Sequence, residues 1–528
     1  MSGRCGALRT CSRGLYSCYW KRSSERKRRC ACCGFSYLAV MTLLTSAWLF
    51  IWMALYNSRD DMNTKAFEIM AKWINWFMVI VIISAVLAVY CLLLLVFALF
   101  QYALKEPLDL HCVHKVFMSV GLLIVLAGIA VICREWKEEW PTVSVFLQAT
   151  GPFLQLGGVV ALTLLSWLVF KSYYRSRRRA SKVIIMLVWA AVCLAVFLCP
   201  LLIHDFSPCV LEHLPPKPAL IGHRGAPMLA PENTMMSFRR SLECNVTAFE
   251  TDVQLSKDDI PFLFHDKPSL KRTTNVEKMF PERQNNKPTN FTFDEIRSLN
   301  AGKGFLVFEK DPLQATPPLS DTEWSNVRNQ TVPSLNEILD LAKEHNVSII
   351  FDLKNEKFNN SDANYTVQTI LESGIAQNLI WWLPAGHRTE VKSKAPGFRQ
   401  VYGSLSALRD DRGSHLNVKY NSLNTDTMRT LRSENVSINL WVVNERWLFS
   451  LVWCAGASSV TTNACHILKD MSRPDWQLGP MLYRMIWISA DLASLLVMFL
   501  LFLLQREKKA RRQIFHLESE RTVPLLAI

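Results

Sequence analysis

Six long apolar segments constrain the fold of this chain more than any other feature. They contain almost no charged residues, and each is long enough, or nearly so, to cross roughly 30 Å of hydrocarbon as a helix. Their length and lack of charge argue against buried helices of a soluble protein. We therefore predict six membrane spans, at Phe35–Tyr56, Trp73–Phe100, Val116–Cys133, Val145–Phe170, Val183–Ile203 and Met481–Leu504.

The basic residues predict an orientation. The formal net charge is +14, and basic clusters lie before the first span, after the fourth and after the sixth. The other two short connections are mixed or acidic, so the positive-inside rule places both termini in the cytosol. Nucleic-acid binding is the competing explanation of the basic clusters. Their position beside the spans favours contact with anionic lipid instead, and we expect no nucleic-acid partner.

This topology divides the chain into five parts and predicts a multi-pass protein of the plasma membrane or an endomembrane. No cleavable signal peptide is evident, because a basic stretch precedes the first span. The parts are a cytosolic basic, Cys-rich segment (1–34), five spans (35–204), an extracytoplasmic domain (205–478), the sixth span (479–505) and a cytosolic tail (506–528).

Glycosylation sequons support the extracytoplasmic placement of the large domain. One sequon is weak evidence, but these all lie in the same connection. Asn245 also begins a sequon and, like Asn346 and Asn435, precedes a strand-like run that could keep it too close to the fold for modification. The glycosylation candidates are Asn290, Asn329, Asn346, Asn359, Asn364 and Asn435.

The cysteines differ in environment along the chain. Cys30, Cys32 and Cys33 adjoin the first span, which suits reversible palmitoylation. A zinc half-site is the weaker alternative, since no matching His/Cys pair follows nearby. Four cysteines lie on the oxidising side, where disulfides are possible, but the sequence leaves their pairing open: Cys209, Cys244, Cys454 and Cys465.

Three short apolar runs between Ala219 and Asn275 each end in polar residues. These polar ends are His223-Arg224, then Glu250 and Asp252, then His265-Asp266. Buried parallel strands deliver side chains to the mouth of a barrel in this way. Each pair alone is more often an ordinary strand end, but three within about fifty residues are harder to dismiss.

The chemistry of these ends indicates a metal-assisted acid–base site for an anionic substrate. Glu250 and Asp252 are two residues apart and so share one face of a strand. No flanking set of cationic residues is evident that would neutralise both, so a bound cation would relieve their repulsion. The two histidines are able to transfer protons near neutral pH.

The large connection alternates strand-like and helix-like segments, which predicts a (β/α)8 barrel inserted between the transmembrane helices. Ser334–Glu344 and Asp426–Glu434 are predicted helices. Leu270–Gln330 breaks the alternation, and we interpret it as an insertion at the catalytic mouth that caps the substrate. Strand candidates include Ala219–Gly222, Ala248–Leu255, Phe262–Phe264, Ser348–Leu353, Leu379–Leu383, Gln400–Gly403, Ser437–Val443 and Ser459–Thr461.

The combined motifs resemble the glycerophosphodiester phosphodiesterases, in particular their multi-spanning animal branch. The resemblance covers roughly Lys217 to Met471 and implies the same barrel. It rests on His223-Arg224-Gly225, Glu232-Asn233-Thr234, Glu250-Thr251-Asp252, His265-Asp266, Arg272-Thr273-Thr274-Asn275, Leu299-Asn300-Ala301-Gly302, Val332-Pro333-Ser334-Leu335 and Trp441-Val442-Val443-Asn444.

The resemblance implies a third carboxylate ligand at Asp352, where the family commonly has Glu. A structural ion pair with Lys354 is the alternative role for Asp352. We expect Ca²⁺ or Mg²⁺ to bridge Glu250, Asp252 and Asp352, because hard cations prefer oxygen ligands. Trp441 is expected either to line the pocket or to pack in the barrel.

The remaining role assignments concern the substrate phosphate and the transferred protons. Arg224 and Lys354 are expected to hold the phosphate. His223 and His265 act as acid and base, in an order that the sequence leaves open. Asp266 either orients His265 or is an ordinary surface aspartate.

The expected reaction is hydrolysis of a glycerophosphodiester to glycerol phosphate and an alcohol, or to glycerol and a head-group phosphate. A lysophospholipid or the lipid anchor of another protein is the alternative substrate, since the spans hold the site near a bilayer. A receptor-like protein without turnover is disfavoured by the complete His/His/Glu/Asp set. A transporter is disfavoured because the spans offer few ionisable residues apart from Asp491. The sequence does not indicate the oligomeric state.

Overall fold

The computed structural model describes residues 10, 14–18, 31–70, 74–104, 108–202, 207–308, 319–354 and 360–522. Four residues used in the sequence predictions lie outside this part of the chain: Cys30, Trp73, Ile203 and Asn359.

Six helices in the described residues are long and apolar enough to cross a membrane, as the hydropathy pattern predicted. The chain is therefore consistent with a multi-pass membrane protein. Before the barrel, the helices are α1 (Ala31–Ala54), α2 (Arg59–Met70), α3 (Trp76–Leu104), α4 (Cys112–Glu135), α5 (Trp140–Arg175) and α6 (Arg179–Leu202). Short 3-10 turns at Leu55–Ser58 and Lys137–Glu139 precede α2 and α5. The sixth candidate span lies in the C-terminal helix Pro480–Thr522.

The apolar helices pack as two groups. Trp48 and Trp52 of α1 share a buried cluster with Phe77 of α3 and Val125 of α4. Elsewhere, α5 and α6 pack with the C-terminal helix through a second cluster that includes Phe170, Phe197 and Met498.

Between these helices the chain forms a (β/α)8 barrel, as predicted. The strands are β1 (Ala219–His223), β2 (Ala248–Leu255), β3 (Pro261–Leu263), β4 (Ser348–Leu353), β5 (Ile380–Trp382), β6 (Arg399–Gln400), β7 (His415–Lys419), β8 (Ser437–Trp441) and β9 (Ser459–Thr462). Eight of them are parallel and follow the order β6-β5-β4-β2-β1-β9-β8-β7, and β3 pairs antiparallel with β2. A parallel bridge between Tyr402 and Leu416 connects the two ends of this order.

The described part of the domain also contains twelve helices. They are α7 (Met235–Leu242), α8 (Val276–Met279), α9 (Phe293–Arg297), α10 (Lys303–Phe308), α11 (Asp321–Arg328), α12 (Leu335–His345), α13 (Asn360–Glu372), α14 (Arg388–Lys394), α15 (Leu405–Asp410), α16 (Thr425–Ser433), α17 (Arg446–Ala455) and α18 (Cys465–Leu468). The C-terminal helix is α19.

Helix α12 shows how local sequence fixes these elements. Ser334 and Glu337 form a capping box at its start, and Asn346 ends it in the left-handed conformation with φ 52°. Its apolar positions, including Ile338 and Leu339, are buried in the main core because they recur at helical spacing.

The segment Leu270–Gln330 has a small core of its own, built around side chains such as Phe291 and Ile296. Arg272 and Phe305 from this segment line a small cavity beside His223.

Two disulfides join segments that are distant in sequence. They pair Cys209 with Cys454 and Cys244 with Cys465, with Cα–Cα distances of 5.0 and 5.7 Å. The first ties the entry into the domain to α17, and the second ties the residues after α7 to α18.

Candidate functional site

Strand register brings the predicted polar residues together. His223 lies opposite Glu250 in the β1–β2 pair, and Asp252 lies opposite Asp352 in the β2–β4 pair. Because parallel strands end at the same edge of a barrel, these side chains converge at one mouth.

The three carboxylates form one compact acidic group. One oxygen from each of Glu250, Asp252 and Asp352 lies within 4.8 Å of the others. Glu250 and Asp252 are buried, whereas the side chain of Asp352 is 40% exposed. Burial, together with the neighbouring charge of Asp252, raises the pKa of Glu250 to about 8.

Two cations lie against this acidic group and pair with Asp252 and Asp352. Arg224 Nε is 3.1 Å from Asp252 Oδ2, and Lys354 Nζ is 3.2 Å from Asp252 Oδ1 and 2.6 Å from Asp352 Oδ2. Burial opposes ionisation of Asp252, but Arg224 and Lys354 outweigh it and lower its pKa. The Lys354–Asp352 ion pair considered as an alternative is therefore present.

His223 is held through one ring nitrogen and faces the acidic group with the other. Its Nδ1 lies 2.6 Å from Asn463 Oδ1, and its Nε2 lies 3.8 Å from Glu250 Oε2. Because the Asn463 oxygen only accepts, Nδ1 carries the hydrogen. Burial and the nearby charge of Arg224 lower the pKa of His223 to about 3, so the ring is neutral at physiological pH.

His265 has a carboxylate partner instead. Its Nδ1 lies 2.9 Å from Asp266 Oδ1, and the Asp266 side chain is only 6% exposed. Asp266 is therefore not an ordinary surface aspartate. Burial opposes its ionisation, but Arg272 overcomes this and lowers the pKa of Asp266.

Arg272 connects this histidine partner to a second carboxylate. Its guanidinium contacts Asp266 at 2.6 and 2.9 Å and Glu232 at 2.5 and 2.8 Å. Glu232 also accepts from Arg224 Nη1 at 3.1 Å. Burial opposes ionisation of Glu232, but the charges of Arg272 and Arg224 outweigh it and lower the pKa of Glu232 to about 2.

Several of these residues were not singled out as site residues from the sequence. Glu232, Asn233 and Arg272 stand in the motif clusters that carry the family resemblance, which was the available signal. Asn233 donates from Nδ2 to Asp252 Oδ2 at 2.9 Å. Asn463 follows β9 and had no such signal.

All seven predicted catalytic, phosphate and metal residues line one cavity of about 610 Å³. This volume lies within the range of small-molecule sites. Trp441 also lines the cavity at the end of β8 and is 38% exposed. Asp61 of helix α2 lines it too.

Comparison with known proteins decides the family. Residues 223–375 match the glycerophosphoryl diester phosphodiesterase family. The glycerophosphoinositol inositolphosphodiesterase GDPD2 of Mus musculus is 41% identical over 95% of this chain and 94% of its own length. Glycerophosphodiester phosphodiesterase domain-containing protein 5 of Homo sapiens is 38% identical over 94% of this chain and 83% of its own.

This chain belongs to the glycerophosphoryl diester phosphodiesterase family. It is a glycerophosphodiester phosphodiesterase, a phosphoric diester hydrolase. The similarity extends across the apolar helices as well as the barrel, since it covers nearly the whole chain.

The glycosylation candidates of this phosphodiesterase differ in exposure. Asn364 is half-buried, and its side-chain oxygen accepts from Lys394 Nζ at 2.9 Å. Asn359 lies outside the described residues. The exposed asparagines are Asn245, Asn290, Asn329, Asn346 and Asn435.

Proposed function

We propose that this enzyme hydrolyses glycerophosphodiesters with a divalent metal, at the extracytoplasmic face of a membrane. The observation that supports this most strongly is the compact carboxylate group flanked by two histidines with different partners. Glu250, Asp252 and Asp352 hold the metal in this proposal, and His223 and His265 move protons.

The acidic group fits a hard divalent cation. Its oxygens are close enough to share one ion, and Asp252 Oδ1 is buried with Lys354 Nζ 3.2 Å away. Carboxylate oxygens are the ligands that Ca²⁺ and Mg²⁺ prefer. When bound, such an ion supplies a Lewis acid for a phosphate oxygen.

The partners of the two histidines suggest how the proton transfers are divided. His223 donates Nδ1–H to an uncharged amide, which leaves Nε2 unprotonated and able to accept a proton as general base. His265 points Nδ1 at the Asp266 carboxylate, a partner that suits a ring carrying a proton. We therefore assign His223 as base for the attacking hydroxyl or water and His265 as acid for the leaving oxygen.

Arg224 and Lys354 are the proposed phosphate-contacting residues. Both line the cavity, and both are held beside the carboxylates by ion pairs. Their positive charge lies where the substrate phosphate would approach the acidic group. Phosphate binding by Arg or Lys is common because both side chains offer several N–H donors.

Glycerophosphoinositol is the first substrate to test, because a relative that shares most of this chain is named for its cleavage. Breaking the bond on the glycerol side gives glycerol and a head-group phosphate. Breaking the bond on the other side gives glycerol phosphate and a free alcohol.

A membrane-held phosphodiester is the second candidate substrate, including the lipid anchor of another protein. A cavity of about 330 Å³ adjoins Arg224 and His265, and its lining combines a few apolar side chains, such as Trp52, Met62 and Trp136, with a larger number of charged ones. These side chains lie at the ends of candidate spans or beside them. The apolar part of this lining would contact a hydrocarbon chain, which a free glycerophosphodiester lacks, and the charged part would contact a polar head group.

The proposed extracytoplasmic placement rests on several agreeing features. The basic clusters follow the positive-inside rule, and five sequon asparagines are exposed. Both disulfides lie in the same domain, which fits an oxidising compartment. Plasma membrane and endomembrane remain the two locations consistent with this topology.

The proposal is tested with the purified full-length protein and a panel of glycerophosphodiesters and lipid phosphodiesters. We expect turnover of at least one glycerophosphodiester, loss of turnover in Glu250→Gln, and normal turnover in the control Asp340→Asn, which changes an exposed carboxylate on α12. Turnover of lipid phosphodiesters alone would favour the second candidate. Equal activity of Glu250→Gln and Asp340→Asn would contradict the proposed site.

A further inference from the structure

The segment that follows helix α1 lies across the mouth of the barrel. We call Leu55–Met70 the roof segment; it comprises the 3-10 turn Leu55–Ser58 and helix α2. Its Asp61 lines the main cavity together with His223 and Glu250. The roof segment therefore borders the space where the substrate would be bound.

Two contacts of the roof segment attach it firmly to the barrel. Arg59 Nη1 lies 2.5 Å from Glu445 Oε1, with the Arg59 side chain only 9% exposed. Ser58 Oγ lies 3.2 Å from the hydroxyl of Tyr420, which follows β7. Because Glu445 and Tyr420 follow neighbouring strands, the attachment is at the carboxyl end of the barrel.

Asn57 makes the most specific contact in the roof segment. Its side chain is buried and donates from Nδ2 to the Val442 carbonyl at 2.8 Å. Its Oδ1 accepts the backbone N–H of Asn444 at 2.9 Å. One side-chain amide thus satisfies two backbone groups of the loop after β8, and so fixes the path of that loop.

From this loop a series of hydrogen bonds leads to His223. Asn444 Oδ1 accepts the backbone N–H of Asn463 at 2.8 Å, and Asn463 Oδ1 lies 2.6 Å from His223 Nδ1. Asn57, Asn444 and Asn463 are all buried. A shift of the loop after β8 would therefore move the group that sets the ring orientation of His223.

We propose that the roof segment is part of the active site and that Asn57 is a positioning residue that acts on His223 through Asn444 and Asn463. This inference rests on the proposed catalytic role of His223. In this proposal the apolar helices anchor the barrel, and the roof segment beside them is also required for catalysis.

Asn421 offers a matched control at the same interface. Its Nδ2 donates to the Glu138 carbonyl at 3.1 Å and lies 3.0 Å from Thr142 Oγ1, so it also joins the barrel to the membrane region. It does not line the main cavity or belong to the hydrogen-bond series that ends at His223. Asn421→Ala therefore removes comparable interface bonds without the proposed coupling.

The test is a double-mutant cycle on the full chain, with kcat and KM measured on a soluble glycerophosphodiester. We expect Asn57→Ala to lower kcat about tenfold with KM changed less than about twofold, and Asn421→Ala to change neither by more than about twofold. Asn463→Ala should lower kcat more strongly. Because both residues act through one series, the double variant of Asn57 and Asn463 should be no slower than Asn463→Ala alone.

Three outcomes would count against the inference, and they are distinguishable. If His223→Ala keeps near-normal turnover, the proposed function and this inference fail together. If His223→Ala is inactive but Asn57→Ala resembles Asn421→Ala, this inference alone fails. Multiplicative losses in the double variant would show that Asn57 acts independently of Asn463. Should Asn57→Ala not fold, Asn57→Ser is used in the same cycle with a smaller expected loss of kcat.

Discussion

Replacing Arg272 is expected to damage both stability and catalysis. Arg272 forms forked hydrogen bonds with two carboxylates at once, and the Arg272 and Asp266 side chains are each only 6% exposed. Arg272→Met would leave two negative charges near the barrel mouth without their shared partner. Removing one partner of a buried ion pair costs about 3–5 kcal/mol.

The chain contains a matched control for this change. Arg283 also pairs with a carboxylate, Glu295, but the two side chains are 38% and 30% exposed. Water screens such a pair, so Arg283→Met should cost little stability. Both arginines belong to the segment Leu270–Gln330.

The assay is thermal unfolding of the full-length protein in detergent, followed by tryptophan fluorescence. For a domain of this size, about 1 kcal/mol corresponds to roughly 2–4 °C, so Arg272→Met should lower the apparent Tm by roughly 6–20 °C. Arg283→Met should lower it by less than about 4 °C. Equal losses in the two variants would refute the reasoning that burial makes the Arg272 pairs stabilising.

Three further predictions follow from the site and the topology. Alanine at His223 or His265 should each lower turnover by roughly 10²–10⁴ with expression retained, and near-normal turnover in a folded variant would remove that histidine from the mechanism. The low pKa of Glu232 adds stability that is present above pH 4.5 and is lost as the pH falls towards about 2, so the apparent Tm should fall in that window and less steeply in Glu232→Gln. In intact cells both termini should be protected from protease, while glycosidase increases the mobility of the protein on a gel. An exposed N-terminus with unchanged mobility would overturn the topology.

The sequence predicted the barrel and most of its mouth because those signals are local. A short stretch of sequence is enough to recognise an apolar run that ends in His223 or in Glu250 and Asp252. The parallel pairing that joins them then follows from the barrel itself, which is why His223 lies opposite Glu250. The six candidate spans could be predicted equally well, since a hydropathy pattern is local and needs no tertiary information.

Strand β7 was not among the predicted strands because its local signal is weak. His415–Lys419 is short and carries His, Asn and Lys among its five residues. Its Leu416 and Val418 are buried, so the strand is fixed by packing against neighbours rather than by its own composition.

The other features that were not predicted depend on contacts between segments that are distant in sequence. Arg272 could be recognised as the partner of Glu232 and Asp266 only after the fold had brought them together. The pairing of Cys209 with Cys454 spans 245 residues and has no local signal. Asn57 and Val442 are separated by 385 positions, so no local pattern indicated that the roof segment contacts the barrel.

A metal held by Glu250, Asp252 and Asp352 is central to the proposed mechanism. The direct test is hydrolysis of glycerophosphoinositol by the purified protein, with the products identified by mass spectrometry before and after dialysis against excess chelator. We predict that chelation abolishes turnover, that Ca²⁺ or Mg²⁺ restores it, and that Glu250→Gln needs more metal to recover part of the rate. Full activity in excess chelator would contradict the proposed metal site.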